Sequence, residues 1–172
     1  MQEKLKGMIR EVPDFPKPGI LFYDLSTLLK NKTGLRSVID LVSQEYGGRS
    51  IHKVIGIESR GFIFAPSVAY NLEAGLVLVR KQGKLPSDTV QASYELEYGQ
   101  DTLEMHRDAV EPGERILIVD DLIATGGTAV ATAQMVAEQG GEVVALAFIV
   151  ELQALNGRSR LDGFDVFSVL KY

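Results

Sequence analysis

Two adjacent acids closing an apolar run, followed by a turn of small residues, are the part of this sequence best suited to chemistry. The stretch reads Ile116-Leu117-Ile118-Val119-Asp120-Asp121-Leu122-Ile123-Ala124-Thr125-Gly126-Gly127-Thr128. Small residues from Ala124 to Thr128 let consecutive backbone N–H groups turn toward an anion, and Thr125 and Thr128 add hydroxyl donors. A helix beginning at Thr128 brings its positive end to the same place, so the turn suits a phosphate. Asp120 and Asp121 would repel a phosphate there. They suit a neutral diol as hydrogen-bond acceptors, or a hydrated magnesium ion. Ribose 5-phosphate has hydroxyls at one end and a phosphate at the other. A plain helix cap with a glycine turn explains the threonines and glycines. It does not explain two acids at the end of a buried strand, where unpaired charge is costly. The spacing matches neither GxxxxGK[ST] nor GxGxxG.

The basic residues fall after two other apolar runs. Lys53–Ile57 leads into Glu58-Ser59-Arg60-Gly61, and Gly75–Val79 leads into Arg80-Lys81-Gln82-Gly83-Lys84. In open parallel sheets, ligands bind beyond the carboxyl ends of the strands. If the three strands are neighbours, Arg60, Arg80, Lys81 and Lys84 converge on one side of a pocket, and the acids and the helix start lie on the other.

Helices and strands in alternation must position these groups. Leu5, Met8, Ile9 and Val12 recur at helical spacing and predict a short N-terminal helix stopped by Pro13. Leu35, Val38, Ile39, Val42 and Tyr46 predict a second helix, closed by Gly47-Gly48. A third runs to about Leu72 with Pro66 in its first turn or two, and a fourth covers Thr128–Gln139 with Gly140 as its cap. Val143–Val150 and Val166–Leu170 complete the strands. Continuous apolar runs separated by helices predict a single α/β domain, its parallel sheet covered on both faces. Between the second and third strands, Val90, Ala92, Tyr94, Leu96 and Tyr98 alternate with polar residues, and Leu103 and Met105 continue the pattern. This predicts a two-stranded ribbon, which is either an ordinary edge hairpin or a lid over the strand ends.

Composition narrows the classes. The chain has 172 residues, no cysteine and a net charge of −5, so disulfides and thiolate metal sites are excluded, and binding to a nucleic-acid backbone is disfavoured. His52 and His106 show no metal-ligand spacing and read as surface or loop residues. No run approaches the ~18 apolar residues of a membrane span, and Met1–Lys6 lacks the apolar stretch of a signal peptide. The expected location is the cytoplasm, with no membrane partner.

The segment Ile116–Ala129 resembles the signature of type I phosphoribosyltransferases, which bind phosphoribosyl pyrophosphate. Phe15–Asp24, Glu58–Phe62, Val79–Pro86 and Ser93–Gly99 resemble, in order and spacing, the branch of that family that uses adenine. The likeness spans essentially the whole chain. It implies a mostly parallel central sheet flanked by helices on both faces, a small N-terminal hood over residues 1–33 and a mobile flap over 82–106. It implies transfer of the phosphoribosyl group to adenine, giving AMP and pyrophosphate, with magnesium as cofactor and a homodimer as the assembly. By the same resemblance Ser59, Arg60, Arg80, Lys81 and Lys84 serve the pyrophosphate, and Asp120 and Asp121 the ribose diol. Ala124, Thr125, Gly126, Gly127 and Thr128 cradle the 5′-phosphate. Leu21, Phe22, Tyr23, Leu122 and Leu152 line the base pocket, and Glu97 and Tyr98 sit at the tip of the catalytic flap. Magnesium is held by substrate and water with no direct protein ligand. Tyr23 departs from the family, where arginine is usual. Backbone groups near Leu21–Tyr23 are then expected to read the base, with Tyr23 stacking on it or walling the pocket. The other readings are a transferase for a 6-oxopurine or orotate, and a non-catalytic regulator that senses phosphoribosyl pyrophosphate and binds nucleic acid.

Overall fold

The computed structural model describes residues 1–95 and 99–172. Its elements in chain order are α1 (Gln2–Lys6), β1 (Arg10–Pro13), β2 (Leu21–Asp24), α2 (Ser26–Leu29), α3 (Lys32–Tyr46), β3 (Lys53–Ile57), α4 (Gly61–Asn71) and β4 (Gly75–Lys81). There follow β5 (Thr89–Glu95), β6 (Gln100–His106), β7 (Arg115–Ile123), α5 (Gly127–Glu138), β8 (Glu142–Glu151) and β9 (Val166–Lys171), with 3₁₀ turns at Gln153–Leu155 and Gly157–Leu161. Seven strands form one sheet in the order β5-β6-β4-β3-β7-β8-β9. The five from β4 to β9 are parallel, and β5 and β6 are antiparallel additions at one edge.

Period-two alternation splits the buried residues between the two faces. Val54, Leu117, Val119, Ala147 and Ile149 pack against Val38, Val42, Phe64 and Val68 of α3 and α4. Ile55, Ile57, Ile116, Ile118, Leu146 and Phe148 pack against Ala129, Ala133, Met135 and Val136 of α5. A sheet covered on both faces needs both sets apolar, which is why these strands read as unbroken apolar runs. Asn31 begins α3 by accepting from the N–H groups of Thr33 and Gly34, each at 3.0 Å. Pro66 sits in the second turn of α4.

Three expectations need correction. The first helix ends at Lys6, and Val12 belongs to β1, which pairs antiparallel with β2 through Val12↔Phe22. Leu5 and Ile9 are buried as a helical stripe would be, but the chain turns at Gly7 between them and so mimics helical spacing. Next, β4 and β7 run further than their apolar cores suggest, so Arg80 and Lys81 lie within β4, and Asp120 and Asp121 within β7. Finally, His106 is the half-buried last residue of β6, whereas His52 does lie on an exposed loop. The ribbon of β5 and β6 is attached to the main sheet, at its edge, by Arg80↔Glu104 and Lys81↔Leu103.

Candidate active site

The sheet order places β4, β3 and β7 side by side and parallel, so the three chemistry-bearing exits open at the same edge. At the centre, Asp120 is 8% exposed and Asp121 5%. Burial, then the Asp121 charge beside it, pushes the Asp120 carboxyl well above the usual range. Burial also raises Asp121, with Arg60 opposing the shift. Arg60, on the exit of β3, reaches across to Asp121, with Nε 2.8 Å from Oδ2. The same guanidinium stands 5.9 Å from the centroid of the Phe22 ring.

After β7 the chain makes the small-residue turn. Gly126 has φ of +81° and precedes α5, whose first turn receives no side-chain cap. An ordinary N-cap therefore does not account for Thr125 and Thr128. The leading N–H groups of the helix are left for an external acceptor, beside the positive end of the helix dipole. The turn is closed from outside by the segment after β8. A Cβ added at Gly157 would stand 2.2 Å from the Ala124 carbonyl oxygen, and one at Gly126 would stand 2.6 Å from the Gly157 carbonyl oxygen. Only backbone without side chains fits this approach. Arg158 locks that segment, donating to Glu151 Oε1 at 3.0 Å, to Glu151 Oε2 at 2.6 Å and to the Val166 carbonyl at 2.7 Å.

On the β4 side the cations are tied to acids. Arg80 Nε lies 3.3 Å from Glu58 Oε2, and Lys84 Nζ contacts Glu58 Oε1. Lys81 Nζ lies 2.7 Å from Asp101 Oδ2, which also accepts from the Tyr94 hydroxyl at 3.1 Å. Tyr94 comes from the ribbon and lies against the cradle, since a Cβ on Gly127 would meet its Cδ2 at 3.1 Å. Ser59 is exposed at the turn between β3 and α4.

The base-side residues come together only in part. Tyr23, Leu122 and Leu152 are half-buried against the same apolar cluster, and Leu21 is exposed. Alternation along β2 separates Phe22 from its neighbours. Phe22 packs edge-on to Phe15 at 5.1 Å and faces Arg60, whereas the Tyr23 ring lies 4.1 Å from that of Tyr172. Among the described residues, the aromatic side chain of β2 that meets the site's cations is thus Phe22, and the Tyr23 ring is engaged by Tyr172. Among the described residues β2 pairs with β1 alone, so one row of its backbone groups is not used by the ladder. Glu97 and Tyr98 lie outside the described residues.

Two residues of the site escaped the sequence reading. Glu58 was visible beside Ser59-Arg60, but nothing in one dimension pairs it with Arg80 and Lys84. Arg160 stands next to the cradle, its Nη1 3.6 Å from where a Cβ on Gly127 would be. Its position depends on the 3₁₀ turn after β8 folding back over Gly126, which no local pattern announces.

Residues 24–170 match the phosphoribosyl transferase domain. The chain belongs to the phosphoribosyltransferase family. Among curated relatives of this phosphoribosyltransferase, an adenine phosphoribosyltransferase of Solibacter usitatus is 61% identical over 168 residues, covering 98% of this chain and 97% of the relative. One from Acidobacterium capsulatum is 58% identical, covering 99% and 94%. Among solved structures, the adenine phosphoribosyltransferase of Thermoanaerobacter pseudethanolicus superposes with a TM-score of 0.96 at 47% identity over the full length of both chains. The Saccharomyces cerevisiae enzyme, solved with an imino-altritol bisphosphate and adenine, gives 0.92 at 38% identity over 98% of each. The mostly parallel sheet with helices on both faces is thus the phosphoribosyltransferase fold.

Proposed function

We propose that this chain transfers the 5-phosphoribosyl group from phosphoribosyl pyrophosphate to adenine, releasing AMP and pyrophosphate, as a step of purine salvage. The observation that carries this reading is the order of groups along one sheet edge. An uncapped helix start and glycine turn end β7, two buried acids lie within it, and four cations follow at β3 and β4. Phosphate, diol and pyrophosphate occur in that order along phosphoribosyl pyrophosphate.

Breaking the C1′–O bond builds positive charge on the ribose and negative charge on the departing pyrophosphate. Arg60, Arg80, Lys81 and Lys84 gain interaction as that negative charge develops, which favours the transition state over the ground state. Asp120 and Asp121 accept from the ribose hydroxyls and stabilise the positive sugar. Ala124–Thr128 hold the 5′-phosphate through backbone N–H groups, fixing C1′ in front of the base. The free backbone edge of β2 at Leu21–Tyr23 reads the adenine edge, with Phe22, Leu122 and Leu152 as apolar walls.

Residues 1–33 form a hood over the base and 82–106 a flap that excludes water from the cationic sugar. Glu97 takes the proton from the purine imidazole ring as N9 attacks, with Tyr98 next to it in sequence. Full turnover by Glu97→Gln at saturating substrates would remove that role.

Magnesium fits the acid pair as a hydrated ion carried in on pyrophosphate. Among the described residues no cluster of three or more acids or histidines could grip a metal directly. Asp121 Oδ2, although ion-paired with Arg60, is buried without a well-aligned hydrogen bond. Bound there, magnesium would neutralise charge on the leaving group.

A second copy covers α4 and β4, where Ile63, Tyr70, Leu76 and Leu78 are exposed, Tyr70 by 85%. Beside them a groove of about 550 Å³ runs between α3 and α4. The homodimer works in the cytoplasm, and an acidic chain of net charge −5 needs no nucleic-acid partner. No helix among the described residues is long and apolar enough to cross a membrane.

The purified chain, given phosphoribosyl pyrophosphate, magnesium and a panel of adenine, hypoxanthine, guanine and orotate, should convert adenine to AMP in preference to the rest. Preference for another base would overturn the assignment, and RNA binding without turnover would point to the regulator. Light scattering should give twice the chain mass, falling to one chain in Tyr70→Glu/Leu78→Glu.

A further inference from the structure

Glu58 has no part in the chemistry above, yet its carboxylate ties down two of the site's cations. Its side chain is 10% exposed. Three donors from the end of β4 and the next turn converge on it. The Lys81 N–H reaches Oε2 at 3.0 Å, Arg80 Nε reaches Oε2 at 3.3 Å, and the Lys84 ammonium meets Oε1. The turn is shaped to bring Lys84 back. Gly83 adopts φ of +82° and donates its N–H to Glu104 Oε2 at 2.9 Å, and Arg80 Nη1 donates to the Lys84 carbonyl at 3.4 Å. Burial opposes ionisation of Glu58, but Lys84, the Lys81 N–H and Arg80 outweigh it and hold the carboxyl below its usual range. The other two cations are also engaged, Arg60 by Asp121 and Lys81 by Asp101.

We propose that Glu58 is a resident anion, which occupies Arg80 and Lys84 in the free chain and yields them to the pyrophosphate group of the ligand. The inference rests on the reading of these cations given under Proposed function. A carboxylate that accepts from an ammonium, a guanidinium and a backbone N–H presents two oxygens much as one face of a phosphoryl group does. It keeps two long side chains at the site without leaving their charge unbalanced. A ligand must therefore outcompete an acid already in place. A small anion with one or two charges gains little by the exchange, whereas pyrophosphate brings several charges on two linked phosphoryl groups. Glu58 thereby sets a charge threshold for entry and, by retaking the cations, limits how tightly the product pyrophosphate is held.

Titration calorimetry on the full chain with pyrophosphate, inorganic phosphate and AMP tests this, using the unaltered protein and Glu58→Gln. The amide retains an acceptor for Arg80 and the Lys81 N–H but removes the competing charge. Pyrophosphate should bind Glu58→Gln about tenfold tighter, phosphate should gain measurable affinity, and AMP should change by less than about twofold. Steady-state assays should show a lower KM for phosphoribosyl pyrophosphate together with a lower kcat, since pyrophosphate leaves more slowly. Pyrophosphate binding that is unchanged or weaker in Glu58→Gln, with AMP binding intact, would overturn the proposal and make Glu58 a scaffold. A crystal structure of the unaltered chain with pyrophosphate gives an independent check that does not rely on the variant folding. Lys84 Nζ should have left Glu58 for a phosphoryl oxygen, and survival of all three contacts would overturn the exchange. A chain that neither forms AMP nor binds pyrophosphate defeats the underlying reading. One that does both, with no gain in Glu58→Gln, defeats only this inference.

Discussion

The end of β7 offers backbone donors, whereas the end of β4 offers long side chains already tied to acids. The first end needs no rearrangement. Gly126 and Gly157 fix the turn by direct contact of main chain with main chain, and the helix start behind it lacks a cap. At the second end, Arg80 and Lys84 are held by Glu58 and Lys81 by Asp101. In the reaction proposed above, the end that keeps its phosphate is preorganised, and the end that releases its product is built on ion pairs open to exchange. A rigid cradle favours positioning, while an exchangeable cluster favours turnover.

Four experiments would break or sharpen that contrast. The largest effect belongs to the backbone end. Gly157→Ala drives a methyl group into the Ala124 carbonyl, which no side-chain rotation relieves, and displaces the cradle. A loss of roughly a hundredfold or more in kcat/KM is expected, and a near-normal value would show that the cradle is as pliable as the opposite end.

Asp120→Asn, between the two ends, should lower kcat/KM by roughly tenfold to a hundredfold, the worth of a charge-assisted hydrogen bond. It should also raise Tm at neutral pH by a few degrees. The sign follows from the raised carboxyl of Asp120. The folded state binds that proton more tightly than the unfolded state, so the acid's contribution is intact below the unfolded pKa. It is lost as pH rises toward the folded one. The gain in Tm should therefore shrink in acid, and a variant less stable at neutral pH would contradict this account.

At the side-chain end, Lys84→Ala should raise KM for phosphoribosyl pyrophosphate by about tenfold and steepen with added salt far less than the unaltered chain does. An equal loss of affinity for AMP would mean the two ends are not separate. The smallest effect is at Arg160, an exposed cation beside the cradle with no ion-pair partner among the described residues. Arg160→Ala should weaken AMP by about threefold to fivefold and leave pyrophosphate unchanged, measured by calorimetry.

The same division runs through what the sequence made legible. The cradle is contiguous, so Ile116–Thr128 displays its strand, acids, turn and helix start in one run. The apolar runs of β3, β8 and β9 were equally plain, because burial on both faces leaves no polar alternation to confuse them. The side-chain end is assembled from positions 58, 80, 81, 84 and 101, and its pairings exist only once β3, β4 and the ribbon are side by side. Periodicity misplaced Val12 because a four-residue strand after a one-turn helix can copy helical spacing. Tyr23 is half-buried against the same apolar cluster as Leu122 and Leu152. Its direction depended on Tyr172, which packs beside it only after β9 returns to the sheet edge.

The ribbon joins the main sheet through Arg80↔Glu104 and Lys81↔Leu103, continued by the Gln82 N–H donating to the Thr102 carbonyl at 3.2 Å. On the function proposed above, Arg80 and Lys81 thus stand both where the flap joins the sheet and where the leaving group is gripped. A rotation of the Arg80 or Lys81 backbone accompanying the proposed exchange of partners would reach β6 through this pairing. A fluorophore at the exposed Ser93 would accordingly report the departure of pyrophosphate and stay silent to the arrival of the base.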